Sequence, residues 1–285
     1  MLFRSQHRKL DLSFGVAVVG VVNVTPDSYF PESRISGPEE IVGRVRTLTE
    51  EGADVIEIGG ESTGPGSTDV SPGEELGRVI PAVKKVREAF PDVWISVDTN
   101  KSAVAKEALL AGADMVNDVT AGQHDPEMFS VIAGAGCPYV IMYSKDPTPR
   151  TTVSPRQYSD VVETVKSFLI KRKAEAVAAG VKESQIIIDP GLGHFLSSDT
   201  KYSFEVIKRL KEFTDLGPVF LSPSRKSFLA GPRNDLAAER LPATLAVTVI
   251  AVLNGARLIR THDVAATKRA IAAAWMICSA KLLNC

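Results

Sequence analysis

Cysteine is scarce in this chain, net charge is almost absent and no apolar run is long; each shortage excludes something. The three cysteines, Cys137, Cys278 and Cys285, are an odd number with no metal-type spacing. They fit reduced thiols used for packing, not a thiolate metal site. Lys and Arg number 33 against 34 Asp and Glu, a formal net charge of −1, so there is no bulk attraction to nucleic acid or membrane. Any anion site has to be local. The longest apolar runs, Val16 to Val24 and Ala243 to Leu253, fall short of the ~20 residues that a bilayer span needs. Arg4, His7, Arg8 and Lys9 are followed by Asp11 and Phe14 instead of a long apolar segment, so no secretory signal is expected and a cytoplasmic location is. No repeat or low-complexity linker divides the 285 residues, and a single domain over 1–285 is expected.

What is present is alternation. Ile186-Ile187-Ile188 reads as a strand buried on both faces, ended abruptly by Asp189-Pro190-Gly191, which leaves Asp189 at the strand's C-terminal lip. The same arrangement recurs along the chain. Strands are predicted at Val16–Val22, Asp54–Ile58, Trp94–Val97, Asp114–Val116, Pro138–Met142, Ile186 onward, Val219–Leu221 and Arg257–Ile259. Helices are predicted at Glu39–Gly52, Pro72–Ala89, Lys101–Gly112, Pro126–Ala135, Arg156–Gly180, Thr200–Phe213, Pro242–Asn254 and Val264–Leu283. Eight strand–helix units over about the ~250 residues typical of the fold predict an α/β protein, a single (β/α)8 TIM barrel. Gly59 to Ser67 is expected to be an irregular loop over a pocket, and Asp146 to Ser154, with its prolines, a mobile loop.

Barrel active sites sit at the C-terminal face, so residues ending the strands should converge: Asn23, Thr63, Asp98, Asn117, Asp189, Lys226, Arg260 and His262. Any one alone fits a helix cap or a solvated charge. As a set they divide in two. Lys226, Arg260 and His262, from strands seven and eight, suit an anion such as phosphate. Asn23 is a candidate Mg²⁺ ligand through its amide oxygen. Asp98, Asn117 and Asp189 suit a flat heterocycle with several N–H groups.

The chain resembles the dihydropteroate synthases. The resemblance runs from the first strand to the last, through Asn23-Val24-Thr25-Pro26-Asp27-Ser28, Gly59-Gly60-Glu61-Ser62-Thr63, Ser96-Val97-Asp98-Thr99, Asn117-Asp118, Asp189-Pro190-Gly191, Ser224-Arg225-Lys226-Ser227 and Arg260-Thr261-His262-Asp263. It implies a transferase of folate synthesis that joins 6-hydroxymethyl-7,8-dihydropterin diphosphate to p-aminobenzoate, releasing pyrophosphate and 7,8-dihydropteroate, with Mg²⁺ as cofactor. It implies that Thr63, Asp98, Asn117, Asp189, Lys226, Arg260 and His262 bind the pterin diphosphate. Asp98, Lys226, Arg260 and His262 are the expected catalytic groups, and Thr63, Pro65, Phe195 and Ser227 the expected p-aminobenzoate site.

Several positions depart from the usual pattern. Gly64 stands where the family mostly has Arg, His194-Phe195-Leu196 replaces Phe-Gly-Lys, Tyr143 lies where His is common, and Tyr29 to Arg34 replaces a glycine-rich first loop. That first loop and Phe195-Leu196-Ser197 are similar to those of the mobile sulfonamide-resistance synthases, whose second-loop insertion is absent here. Two other readings compete: a pterin-binding methyltransferase domain serving a corrinoid partner, and a non-catalytic pterin-binding paralogue. The cationic end, Ser224 to Ser227 with Arg260 and His262, favours the synthase, because only a diphosphate explains it. The greasy last two helices, with Ile271, Trp275 and Ile277 among their apolar positions, point to a homodimer.

Overall fold

The structure, a computed structural model, describes residues 2–5, 8–12, 15–24 and 38–279. The expected first loop over Thr25 to Arg34, Cys285 and the last turn of the final helix lie outside the described residues. Two short strands that the sequence reading missed open the chain: β1 (Leu2–Arg4) pairs antiparallel with β2 (Lys9–Asp11), Phe3 opposite Leu10. Each exposes its outer two residues and buries its middle one, the period-two signature of a ribbon lying on apolar surface.

That surface is the bottom of a closed barrel of eight parallel strands: β3 (Ala17–Asn23), β4 (Val55–Gly59), β5 (Trp94–Asp98), β6 (Met115–Asp118), β7 (Tyr139–Met142), β8 (Ile186–Asp189), β9 (Val219–Leu221) and β10 (Ala256–Thr261), with β10 closing against β3. The predicted TIM barrel is the observed fold. Its wall is α1 (Pro38–Glu50), α2 (Pro72–Ala89), α3 (Ser102–Leu110), α4 (Met128–Ala135), α5 (Val161–Ala178), α6 (Lys201–Lys208), α7 (Leu241–Leu253) and α8 (Val264–Ser279). Two helices fall well short of their predicted spans, α5 and α6. Asp160 caps α5 by accepting from the Glu163 amide at 3.0 Å, which sets its start after Arg156, and a 3-10 turn over Leu210–Phe213 takes the end of the sixth predicted helix. Among the described residues no helix is long and apolar enough to cross a membrane.

Side-chain alternation sorts the strands into two cores. Outward residues such as Val18, Ile56, Ile95, Val116, Ile141 and Ile188 pack with the helices. Ala17, Val19, Val55, Trp94, Met115, Val140, Ile187, Phe220 and Leu258 form a second cluster, into which the N-terminal segment inserts Phe3, Leu10 and Leu12. Asp114 fastens this plug. Its buried carboxylate accepts from Ser5 Oγ (2.6 Å), Arg8 (3.1 Å), Arg87 (2.7 Å) and the Ile95 amide (3.0 Å). Two residues further along the inward rows the chemistry changes to Glu57, Ser96 and Asn117.

Candidate active site

The strand ends open into a cavity of about 320 Å³. Of the residues expected from the sequence, Asn23, Thr63, Pro65, Asp98, Phe195, Lys226, Ser227, Arg260 and His262 line it. Asn117 and Asp189 do not. They are buried in the strands beside it, Asn117 in register with Asp98 and Asp189 with Met142.

Glu57 was missed. Wholly buried two residues before the end of β4, it accepts from Ser96 Oγ at 3.1 Å and Asn117 Nδ2 at 3.2 Å. Its other oxygen lies 2.5 Å from Arg260 Nε, an ion contact out of hydrogen-bond alignment. Arg260 Nη2 donates to Asp98 at 3.1 Å, so this arginine bridges two carboxylates at the depth of the site. Because Asn117 gives its amine to Glu57, its buried Oδ1 is an acceptor with no partner among the described residues.

This crowding of acids sets the charges. Burial pushes Asp98 up to about 7, with Arg260 pulling down and Glu57, Glu75 and Asp118 adding to the rise. Asp189 is raised to about 6 by burial against the pull of Lys226, the Gly191 amide and Arg260. Lys226 is lowered to about 8, burial outweighing Asp189. His262, expected among the cations, is neutral: burial first and then Arg260 lower it to about 4. Ser224 Oγ accepts from the His262 backbone amide at 3.2 Å and lies 3.0 Å from Nδ1, so it holds the residue at both its backbone and its side chain, with the direction of the Nδ1 bond set by the tautomer.

Local backbone explains the placement. A Cβ on Gly191 would lie 2.5 Å from the Tyr143 carbonyl oxygen, and its φ is +73°, so only glycine can follow Asp189-Pro190 here. Arg225 adopts φ +54° and sends its guanidinium to a two-pronged bond with Asp263 (2.6 and 2.8 Å) and to the Ala237 and Ala238 carbonyls, so of the two cations after β9, which both line the cavity, Arg225 is tied to the wall by these bonds. Lys226 Nζ lies 3.3 Å from the Leu192 carbonyl and 5.0 Å from the Phe195 ring centroid. Asp118 serves its own loop, accepting from Thr120 twice, Gly122 and Tyr139.

The loop after β7, expected to be mobile, is bonded down. Thr151 donates its amide to Thr63 (3.2 Å) and its hydroxyl to the His194 carbonyl (2.8 Å), while Arg150 pairs with Glu61 and Asp69 and donates to the Thr68 carbonyl at 2.6 Å. The second loop, which contains Gly64, is therefore held through its neighbour. Asn23 suits a hard cation. A Cβ on Gly59 would come within 3.5 Å of Asn23 Oδ1 and 3.8 Å of Asp98 Cβ, so the glycine keeps open the space between them. Among the described residues no three His, Cys, Asp or Glu side chains converge on a metal position. That donor set fits an ion taking most of its oxygens from water and substrate.

Fold and lip together define a class: a (β/α)8-barrel enzyme with a deep polar pocket and a cationic mouth. The family model described as pterin binding enzyme matches residues 19–262. The dihydropteroate synthase of Haemophilus influenzae is 37% identical over 268 residues, covering 94% of this chain and 95% of that one. The Yersinia pestis dihydropteroate synthase, solved in a sulfonamide drug complex, superposes with a TM-score of 0.91 at 34% identity, covering 99% of this chain and 100% of that one. The Xanthomonas albilineans dihydropteroate synthase, solved with 4-aminobenzoic acid, gives 0.88 at 35% identity, covering 98% of each. The chain belongs to the dihydropteroate synthase family of pterin-binding enzymes, and it is a transferase. The methyltransferase reading gives way to this.

Proposed function

We propose that this chain condenses 6-hydroxymethyl-7,8-dihydropterin diphosphate with p-aminobenzoate, leaving group first, with the strand-end residues in the roles that follow. The observation that carries this reading is the meeting, at one barrel mouth, of carboxylate and amide groups (Asp98 in the cavity, Asn117 and Asp189 buried beside it) with cationic and N–H groups (Lys226, Arg260, His262). The pterin's N–H edge suits the Asp189 carboxylate and Asn117 Oδ1, with Lys226 reaching the ring from the turn after the neighbouring strand, β9. At the diphosphate end Arg260 and Lys226 bring charge and His262 a neutral imidazole. Asn23 would hold Mg²⁺ through Oδ1, and the bound ion would offset the diphosphate's negative charge.

An arylamine is a weak nucleophile, while a diphosphate beside cations is a good leaving group, so departure leads. The C–O bond to the diphosphate breaks with its electron pair leaving on oxygen. The pterin methylene becomes cation-like, and Asp98 stabilises it from below. The amine nitrogen of p-aminobenzoate then attacks and loses its proton. Thr63, Pro65, Phe195 and Ser227, which line the cavity, hold that second substrate, and the choice of p-aminobenzoate is supported by the 4-aminobenzoic acid solved with the Xanthomonas albilineans protein. The pterin diphosphate binds first. Incubating the chain with both substrates and Mg²⁺ should yield equal amounts of 7,8-dihydropteroate and pyrophosphate. No pteroate would reject the reading in favour of the non-catalytic paralogue.

A homodimer is proposed from the outer wall. Ile250 and Leu253 on α7 and Trp275, Met276 and Ile277 on α8 are exposed apolar residues on helices that pack together, whereas Ile271 and Ala274 are buried in the wall. Light scattering at micromolar concentration should give twice the chain mass, falling to the single mass in Trp275→Glu/Ile277→Glu. A monomeric parent would reject the dimer. A single cytoplasmic domain completes the proposal and fits the buried free thiol of Cys137.

A further inference from the structure

His194 sits on the rim of the same cavity as Ser227, and its Nε2 is 2.9 Å from Ser227 Oγ. Its other ring nitrogen, Nδ1, is buried with no partner among the described residues. Burial, then Lys145 and Lys226, lower its pKa, so at neutral pH the ring carries one proton. On Nδ1 that proton would be a buried donor facing no acceptor. On Nε2 it is given to Ser227 Oγ, and only a lone pair is left unpaired. The contacts select Nε2–H. Ser227 Oγ is then an acceptor toward His194, so its own hydroxyl proton points elsewhere, into the cavity.

The backbone presets the ring. The His194 carbonyl accepts from Thr151 Oγ1 at 2.8 Å, the Gly193 amide donates to Ser203 Oγ at 2.9 Å, and the Lys145 amide donates to the Phe195 carbonyl at 2.8 Å. A three-residue turn held at each residue leaves the imidazole little freedom to leave the serine.

We propose that His194 is a positioning residue that fixes Ser227 as a hydrogen-bond donor toward the carboxylate of p-aminobenzoate, and so makes the site select an anionic arylamine over a neutral one. This rests on the reading of Ser227 as a p-aminobenzoate residue. A chain of imidazole N–H, hydroxyl O–H and carboxylate polarises in one direction and is strongest when the last acceptor is charged.

The test is steady-state kinetics of the parent, His194→Phe, His194→Gln, Ser227→Ala and the His194→Phe/Ser227→Ala double variant, with p-aminobenzoate and with neutral p-aminobenzamide. His194→Phe should raise KM for p-aminobenzoate about tenfold, leave kcat and KM for the pterin diphosphate within about twofold, and erase most of the preference for the acid over the amide. His194→Gln, whose amide can still donate to Ser227, should recover most of the loss. The double variant should be no worse than Ser227→Ala alone. Equal losses with acid and amide, or a double variant costing the product of the two singles, would overturn the role of His194 while leaving the reaction intact. If Ser227→Ala itself does not move KM for p-aminobenzoate, the Ser227 assignment falls and the inference with it.

Discussion

The two ends of the barrel interior each bury acids, and they treat them oppositely. At the bottom, Asp114 has a donor for every lone-pair direction, two of them arginines, and sits under the plug made by β1 and β2. At the top, Glu57 and Asp98 share the single guanidinium of Arg260, Asp189 accepts from the Gly191 amide and feels the charge of Lys226, and Asn117 Oδ1 has no partner among the described residues. A satisfied buried charge is a fastening; a partly satisfied one is a place where a ligand completes the bonding. The raised carboxylates and the lowered lysine belong to the same contrast, because burial holds each charged form at a cost that its neighbours offset only in part.

The largest effect that sharpens the contrast should come from the bottom. Asp114→Asn leaves Arg8 and Arg87 without their common partner and should cost about 3 to 5 kcal/mol of stability in urea unfolding. Its kcat/KM per folded molecule should stay close to the parent's; a stable but inactive variant would erase the distinction between the ends. The matching change at the top, Asp189→Asn, should behave in reverse. It turns an acceptor into a donor against the pterin edge and should lower kcat/KM by about a hundredfold. Burial raises the folded carboxyl from its ordinary value to about 6, so ionising it costs stability above the unfolded pKa. Removing the charge should therefore raise the melting temperature at pH 7, and a lower one with activity retained would make Asp189 a fastening as well.

The pH profile is a smaller effect on the same comparison. As pH falls through about 7 and then about 6, Asp98 and then Asp189 take protons and lose their carboxylate roles; as pH rises through about 8, Lys226 loses its positive charge. The kcat/KM for pterin diphosphate should be bell-shaped with limbs near those values, read in the free enzyme. A flat profile from pH 5 to 9 would mean that none of these groups meets the substrate in its charged form.

Much of the top was legible in the chain because Pro and Gly punctuate the strand ends: Asp189 before Pro190-Gly191 and Lys226 after Ser222-Pro223 announce themselves. Glu57 did not, lying inside the Val55–Gly59 strand, although the inward row Val55, Glu57, Gly59 contained the signal. The role of Arg225 beside Lys226 was not legible, since the left-handed φ and the Asp263 pair that hold it depend on the last strand's end and on α7. The bottom was nearly unreadable. Strands of three residues with charged flanks show their purpose only once a barrel mouth exists for Phe3 and Leu10 to fill.

The central claim, that the incomplete bonding at the top drives departure of the leaving group, is tested most directly by pyrophosphate release without the second substrate. Enzyme given pterin diphosphate and Mg²⁺ but no p-aminobenzoate should release pyrophosphate slowly, and Arg260→Ala, which removes the guanidinium beside Asp98 and Glu57, should abolish that release. Pyrophosphate appearing only when p-aminobenzoate is added would contradict the account and place the amine's attack in the same step as bond breaking.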